Sequence, residues 1–176
     1  MTAARSFSRS IRETSDLQTN NAKDAISHYL YPGMLFAHNG QCVITTILGS
    51  CVAVCLWDET RLTGGMNHYL LPLWNGEGLP TPRYGNVAIP MLIERMRLLG
   101  SRRECLKAKV FGGANVLESL SGLIDVGERN IAFAEDMLRS ERITIVSSDT
   151  GGTLGRKILF MTDSGDVFVK KVEKKT

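Results

Sequence analysis

The stretch from Thr45 to Asp58, TTILGSCVAVCLWD, limits what this chain can fold into more than any other. Val52, Val54 and Leu56 alternate with Cys51, Ala53, Cys55 and Trp57. A period of two over so many apolar residues describes a strand with two distinct faces. Met66 to Leu71 reads the same way, with Gly64-Gly65 ahead of it. Two such strands in succession predict an antiparallel hairpin. If it turns at Glu59-Thr60, Cys51 lies directly across from His68, with Cβ atoms about 4.5–5.5 Å apart on a shared face. Glu59-Thr60 lacks the Asn-Gly or Asp-Gly chemistry of a tight two-residue turn, and a bulge at Gly64-Gly65 would shift the register by one and turn His68 away.

A thiol facing an imidazole is the raw material of nucleophilic catalysis. Near its ordinary pKa of about 8.5 a cysteine is mostly protonated at neutral pH, and an adjacent imidazole favours the reactive thiolate. Gly49 and Ser50 let the backbone bend sharply beside the sulfur and can aim N–H groups at a developing oxyanion. A third polar group normally orients the imidazole, and Thr45 or Thr46 can supply it. The competing reading is inert packing, because free cysteine in an apolar strand is commonly buried. Cys55, further along the same face, is assigned to the core. The pair is spaced CxxxC, which fits neither a redox motif nor a zinc knuckle.

With 176 residues the chain has the length for one domain with a real core, and its net charge of +3 gives neither a nucleic-acid stripe nor a polybasic membrane anchor. Residues 1–27 are polar, with Arg5, Arg9 and Arg12 among Ser, Thr and Asn, and read as a flexible tail ahead of a domain over 28–176. No apolar run has the length of a signal peptide core or of a membrane span, about 20 residues. A cytoplasmic protein is therefore expected, with Cys42, Cys51, Cys55 and Cys105 as reduced thiols. His28 and His38 read as surface loop residues, and three scattered histidines without ligand spacing argue against a metal site.

Further along, Met34–Phe36 and Cys42–Ile44 read as short strands around an Asn39-Gly40 turn. A long irregular connection from Leu73 to Gly85 carries Trp74, a candidate for substrate contact. Residues 86–99 have helical spacing in Ala88, Met91, Leu92, Arg95 and Leu99, with Pro90 near the start and Gly100 as the stop. A strand over 106–111 runs into Gly112-Gly113, which can border the pocket with backbone N–H groups or simply let strand pack on helix. A short helix over 114–120, a longer one over 127–140 with Ile131, Ala134 and Leu138 on one side, and strands over 143–146, 157–161 and 167–172 complete the chain. This mixture predicts a single α/β domain of mixed, mainly antiparallel sheets with helices packed outside. Gly151 to Lys157, GGTLGRK, lacks P-loop spacing and leads into a strand, which excludes a phosphate loop. Arg156 within it is a candidate for docking a carboxylate or a partner.

Thr45, Leu48-Gly49-Ser50-Cys51-Val52, Asp58, Gly64-Gly65 and His68 to Pro72, followed in order by Phe111-Gly112-Gly113-Ala114, Asn130, Asp149, Gly151-Gly152 and Gly155-Arg156-Lys157, resemble the CheD family. These are the chemoreceptor glutamine deamidases of bacterial and archaeal chemotaxis, and the likeness covers roughly residues 30–172. The resemblance implies a compact α/β sandwich related to the deamidating domain of bacterial cytotoxic necrotizing factors. It implies a Cys-His-Thr triad with Cys51 as nucleophile, His68 as base and Thr45 orienting the ring, working without a cofactor. The implied activity is that of a protein-glutamine glutaminase, turning side-chain amides of methyl-accepting chemotaxis receptors into carboxylates, with the phosphatase CheC as a binding partner. Two alternatives stand beside it. A non-catalytic adaptor is disfavoured by intact Thr45, Cys51 and His68, whereas a transglutaminase or peptidase could use the same dyad.

Overall fold

The computed structural model describes residues 12–13, 26–115 and 126–172. Their strands are β1 (Arg12–Glu13), β2 (Ile26–Tyr29), β3 (Met34–Asn39), β4 (Cys42–Leu48), β5 (Val52–Asp58), β6 (Thr63–His68), β7 (Leu106–Gly112), β8 (Thr144–Thr150), β9 (Gly155–Met161) and β10 (Val167–Val172). The two helices are α1 (Gly85–Leu98) and α2 (Val126–Ser140). One sheet runs β1-β10-β9-β4-β2 and the other β3-β6-β5-β7-β8. Most neighbours are antiparallel, with parallel pairs at β1–β10, β2–β4 and β7–β8. Both helices pack on one face of the second sheet, and the first sheet covers the other face. Three layers result, the mixed α/β sandwich that the strand and helix pattern implies. Apart from β1, the N-terminal segment up to residue 25 lies outside the described residues, as does the helix expected over 114–120 beyond Asn115.

The period of two in β5 explains why the second sheet has a core on each side. Val52, Val54 and Leu56 meet Ala88, Ile89, Leu92, Met96, Ala134 and Leu138 on the helix side. Ala53 and Cys55 meet Ile44, Leu48, Met66, Ile158 and Phe160 on the sheet side. Fully burying each large aliphatic side chain contributes about 1.5–3 kcal/mol. The buried stripe of α1 is Ala88, Ile89, Leu92, Ile93 and Met96. Met91, expected on that stripe, is exposed, because the denser apolar set sits one position round the helix. Pro90 lies in the second turn with its ring exposed, where it forfeits only the bond to the Asn86 carbonyl.

Turn chemistry sets the register of the β5–β6 hairpin. The Asp58 carboxylate accepts from the Thr60 N–H at 3.0 Å, the Thr60 hydroxyl at 2.7 Å and the Arg61 N–H at 3.3 Å, and Leu62 takes the left-handed φ of 51° that closes the loop. The turn is thus Glu59–Leu62, and Cys55 pairs with Met66 and Val52 with Tyr69. This differs by two residues from a turn centred on Glu59-Thr60. An even shift leaves every side chain on its face. Cys51 now stands across from Leu70 and His68 across from Ala53, so Cys51 and His68 are diagonal neighbours on the face toward the first sheet. Asn39-Gly40 joins no hairpin. It is a corner between sheets, since β3 pairs with β6 while β4 pairs with β9 and β2.

Candidate active site

The same alternation acts in β4. Cys42, Ile44, Thr46 and Leu48 are buried toward the second sheet, while Val43, Thr45 and Ile47 face away. Thr46 and His68 are each only 1% exposed, and Thr46 Oγ1 lies 2.8 Å from His68 Nδ1. The hydroxyl also donates to the Leu30 carbonyl at 2.7 Å. A hydroxyl has one hydrogen, and Leu30 receives it, so toward the ring Thr46 must accept. Nδ1 therefore carries the imidazole proton, and Nε2 presents a lone pair. Among the described residues Nε2 has no hydrogen-bond partner. Thr46, not Thr45, makes the contact with the ring. Adjacent strand residues point to opposite faces, and Thr45 is on the wrong one.

The hairpin opens where His68 sits. The Val54 N–H donates to the Asn67 side-chain oxygen at 2.9 Å, in place of a ladder bond to the Asn67 carbonyl. Ladder bonds resume at Val52, which exchanges both with Tyr69 at 3.1 and 3.0 Å. Opposite the ring is only the methyl of Ala53, and one diagonal step away is Cys51. Such neighbours have backbones about 7–8 Å apart, within reach for a ring and a thiol that lean toward each other. Cys51 is half-buried against the inter-sheet core, unlike Cys42 and Cys55, which are sealed.

Burial sets the charge state of the pair. It lowers the His68 pKa to about 4, from an ordinary 6.5, so the ring is neutral at physiological pH. Burial also pushes the Cys51 thiol up, an effect that the N–H of Cys51 itself, donating toward the sulfur, partly offsets. The resting pair is thiol and neutral imidazole, a base waiting for a proton rather than a preformed ion pair. Cys55 is pushed well above the ordinary thiol range by complete burial, which makes it a poor nucleophile.

Around Cys51 the backbone is held from two sides. The Gly113 N–H donates to the Cys51 carbonyl at 2.8 Å, and the Ala114 N–H to the Gly49 carbonyl at 2.8 Å. A Cβ on Gly112, whose φ is 105°, would fall 2.2 Å from the Cys51 oxygen, so only glycine permits this approach. Gly112-Gly113 lies against the Cys51 turn, with the Gly113 N–H spent on the Cys51 carbonyl, and packs on α2, where a Gly113 Cβ would strike Ile131. From α2, the buried Asn130 carboxamide donates to the Ser50 carbonyl at 3.0 Å and the Leu70 carbonyl at 2.9 Å.

Two expected contact residues make bonds within their own segments. Arg156 is 1% exposed. Its guanidinium binds the Asp149 carboxylate at 2.6 Å and the carbonyls of Asp149 and Gly151, which staples the β8–β9 connection from inside. As an inward-facing β9 residue it is closed to the substrate carboxylate or partner that the sequence offered for it. The half-buried Trp74 spends its indole N–H on the Glu77 carbonyl at 2.8 Å, ordering its own loop. His28 and His38 lie in strands, stacked with Phe36, rather than in loops.

The family profile described as CheD chemotactic sensory transduction matches residues 70–171, a stretch that begins just past His68. Relatives extend the likeness. A protein of Trichlorobacter lovleyi named probable chemoreceptor glutamine deamidase CheD is 51% identical over 142 residues, 81% of this chain and 88% of the relative. One of the same name from Sulfurimonas denitrificans is 51% identical over 148 residues, 83% of this chain and 94% of its own. A probable chemoreceptor glutamine deamidase CheD 1 of Anaeromyxobacter dehalogenans is 42% identical over 144 residues, 82% and 84% of the two chains. Over that extent and identity, the chain belongs to the CheD family.

Proposed function

We infer that this chain is a cytoplasmic chemoreceptor glutamine deamidase, with Cys51 as nucleophile, His68 as proton carrier and Thr46 as the group that holds the ring. The names of its relatives supply the substrate, and the Thr46–His68 hydrogen bond carries the chemical reading, because it turns an unprotonated ring nitrogen to the layer that Cys51 shares. His68 Nε2 takes the thiol proton as Cys51 Sγ attacks the carboxamide carbon of a receptor glutamine. Backbone N–H groups at Gly49, Ser50 and Cys51 face the oxygen that becomes negative. The ring then gives its proton to the departing nitrogen, ammonia leaves, and a thioester remains on Cys51. Water loses a proton to the same Nε2, its oxygen bonds to the acyl carbon, and the thiol is restored as glutamate departs. The overall change is amide plus water to carboxylate plus ammonium.

A new carboxylate can be methylated where an amide cannot, so the reaction adjusts receptor sensitivity. A CheC-type phosphatase is the regulatory partner in this reading. Among the described residues no helix is long and apolar enough to cross a membrane, and in this reading the substrate is the receptor's cytoplasmic portion. Intact-mass measurement of a receptor cytoplasmic fragment incubated with the protein tests the proposal. A gain of about one dalton per site with ammonia release, lost in Cys51→Ala, is the expected result. Receptor fragments would mean proteolysis, an unchanged mass an adaptor, and full turnover by Cys51→Ala a different nucleophile.

A further inference from the structure

Asn130 lies outside the thiol and imidazole pair yet touches the backbone beside each, at Ser50 just ahead of Cys51 and at Leu70 two residues past His68. Its side chain is fully buried, and its amide nitrogen donates to the Ser50 carbonyl at 3.0 Å and the Leu70 carbonyl at 2.9 Å. Two carbonyl neighbours leave no doubt which end of the carboxamide is the NH2 group, since an oxygen there would face two acceptors. The Tyr69 hydroxyl fixes the same residue from beneath, donating to the Asn130 main-chain oxygen at 2.6 Å. Among the described residues the buried side-chain oxygen Oδ1 has no hydrogen-bond partner. An orphaned acceptor is costly in a core, so the donor end is what this position serves.

The Ser50 carbonyl belongs to the same peptide unit as the Cys51 N–H. In a planar trans peptide the two point in opposite directions, and the described chain has no cis peptide bonds. Holding the carbonyl toward α2 therefore turns the Cys51 N–H away from α2, to the face on which the Cys51 side chain packs. The next peptide is held independently by the Gly113 N–H on the Cys51 carbonyl.

We propose that Asn130 is a positioning residue for the oxyanion donor: its carboxamide locks the Ser50–Cys51 peptide so that the Cys51 N–H meets the negative oxygen formed when the sulfur attacks, and ties that turn to the end of the strand bearing His68. The proposal rests on Cys51 being the nucleophile. It separates two reactions of one thiol. Acylation by p-nitrophenyl acetate passes through a tetrahedral oxyanion and releases p-nitrophenolate, whereas alkylation by iodoacetamide displaces iodide from a saturated carbon and forms no oxyanion.

The experiment measures both rates at Cys51, by mass spectrometry of the full chain, in the wild type, Asn130→Asp and Asn130→Ser, with thermal melts to establish folding. Asn130→Asp places an acceptor against both carbonyls, and Asn130→Ser keeps one short donor that cannot span them. The expected result is a fall in acylation on the order of 10²-fold in Asn130→Asp, the scale for losing an oxyanion donor, and a smaller fall in Asn130→Ser, with alkylation within about 3-fold of wild type in each folded variant. If acylation and alkylation fall together, or acylation is unchanged in a folded variant, the positioning role is overturned while Cys51 keeps its role. If neither reagent modifies Cys51 in the wild type, the nucleophile assignment fails and takes this proposal with it.

Discussion

Around β5 the two faces of the central sheet are both covered, yet they are built for different ends. On the helix side Val52, Val54 and Leu56 meet apolar residues of α1 and α2, and the polar groups buried there tie down backbone, the Tyr69 hydroxyl on the Asn130 carbonyl and the Asn130 amide on the Ser50 and Leu70 carbonyls. On the sheet side the apolar core ends in Thr46, His68 and the half-buried Cys51, where a ring nitrogen is left unpartnered. A polar group buried without a partner costs on the order of 1–3 kcal/mol. The first face maximises burial, and the second gives up some of it to keep a lone pair in reserve.

Substitutions on the two faces should therefore separate chemistry from stability. His68→Gln, which keeps a polar side chain but removes the proton acceptor, is expected to lower turnover of a receptor fragment by about 10²- to 10⁴-fold, the scale of general acid–base catalysis. A loss under 3-fold would remove His68 from the reaction. Thr46→Val keeps the shape but frees the ring to turn, and about a 10- to 100-fold fall in kcat is expected, against less than 2-fold for Thr45→Val. The reverse order would return the orienting role to Thr45. On the helix side, Leu92→Ala should cost about 2–5 kcal/mol in a urea melt and leave the iodoacetamide rate of Cys51 unchanged below the transition. A parallel fall in that rate would join the two faces into one unit.

The smallest expected effect is the dependence of stability on pH. His68 binds its proton less readily folded, at about 4, than unfolded, at 6.5. The unfolded chain takes up more protons between these values, so stability that is present above about pH 6.5 is lost as pH falls toward 4. By pH 5 the loss is about 2 kcal/mol. Melts of the wild type and His68→Gln at pH 7.5 and pH 5 measure it. Equal slopes for the two proteins would show that the ring is not held in its neutral form.

Much of this was legible in the sequence because strand alternation is a rigid rule. It places Cys51 and His68 on one face although the observed turn is centred one residue further on, since the resulting two-residue shift in pairing preserves the face. The slip came from Asp58, whose carboxylate builds a four-residue turn that carries no Asn-Gly signature. The same rule applied to β4 would have chosen Thr46, because Cys42, Ile44 and Leu48 share its parity. Arg156 was less legible. A Gly-rich flank looks like a surface loop, and nothing local shows that the guanidinium turns inward to bind the carbonyls of its own connection. Asn130 could be quoted from the sequence as part of the resemblance but not explained, because its partners Ser50 and Leu70 are 80 and 60 positions away.

The account depends on a neutral His68 ring protonated at Nδ1, and nitrogen NMR of histidine-labelled protein reads that directly. The account predicts a His68 ring with Nδ1 protonated and Nε2 bare at pH 7, titrating only near pH 4, with the preference for that tautomer lost in Thr46→Val. A proton on Nε2 at neutral pH, or a ring titrating near 6.5 as an exposed histidine does, would contradict it.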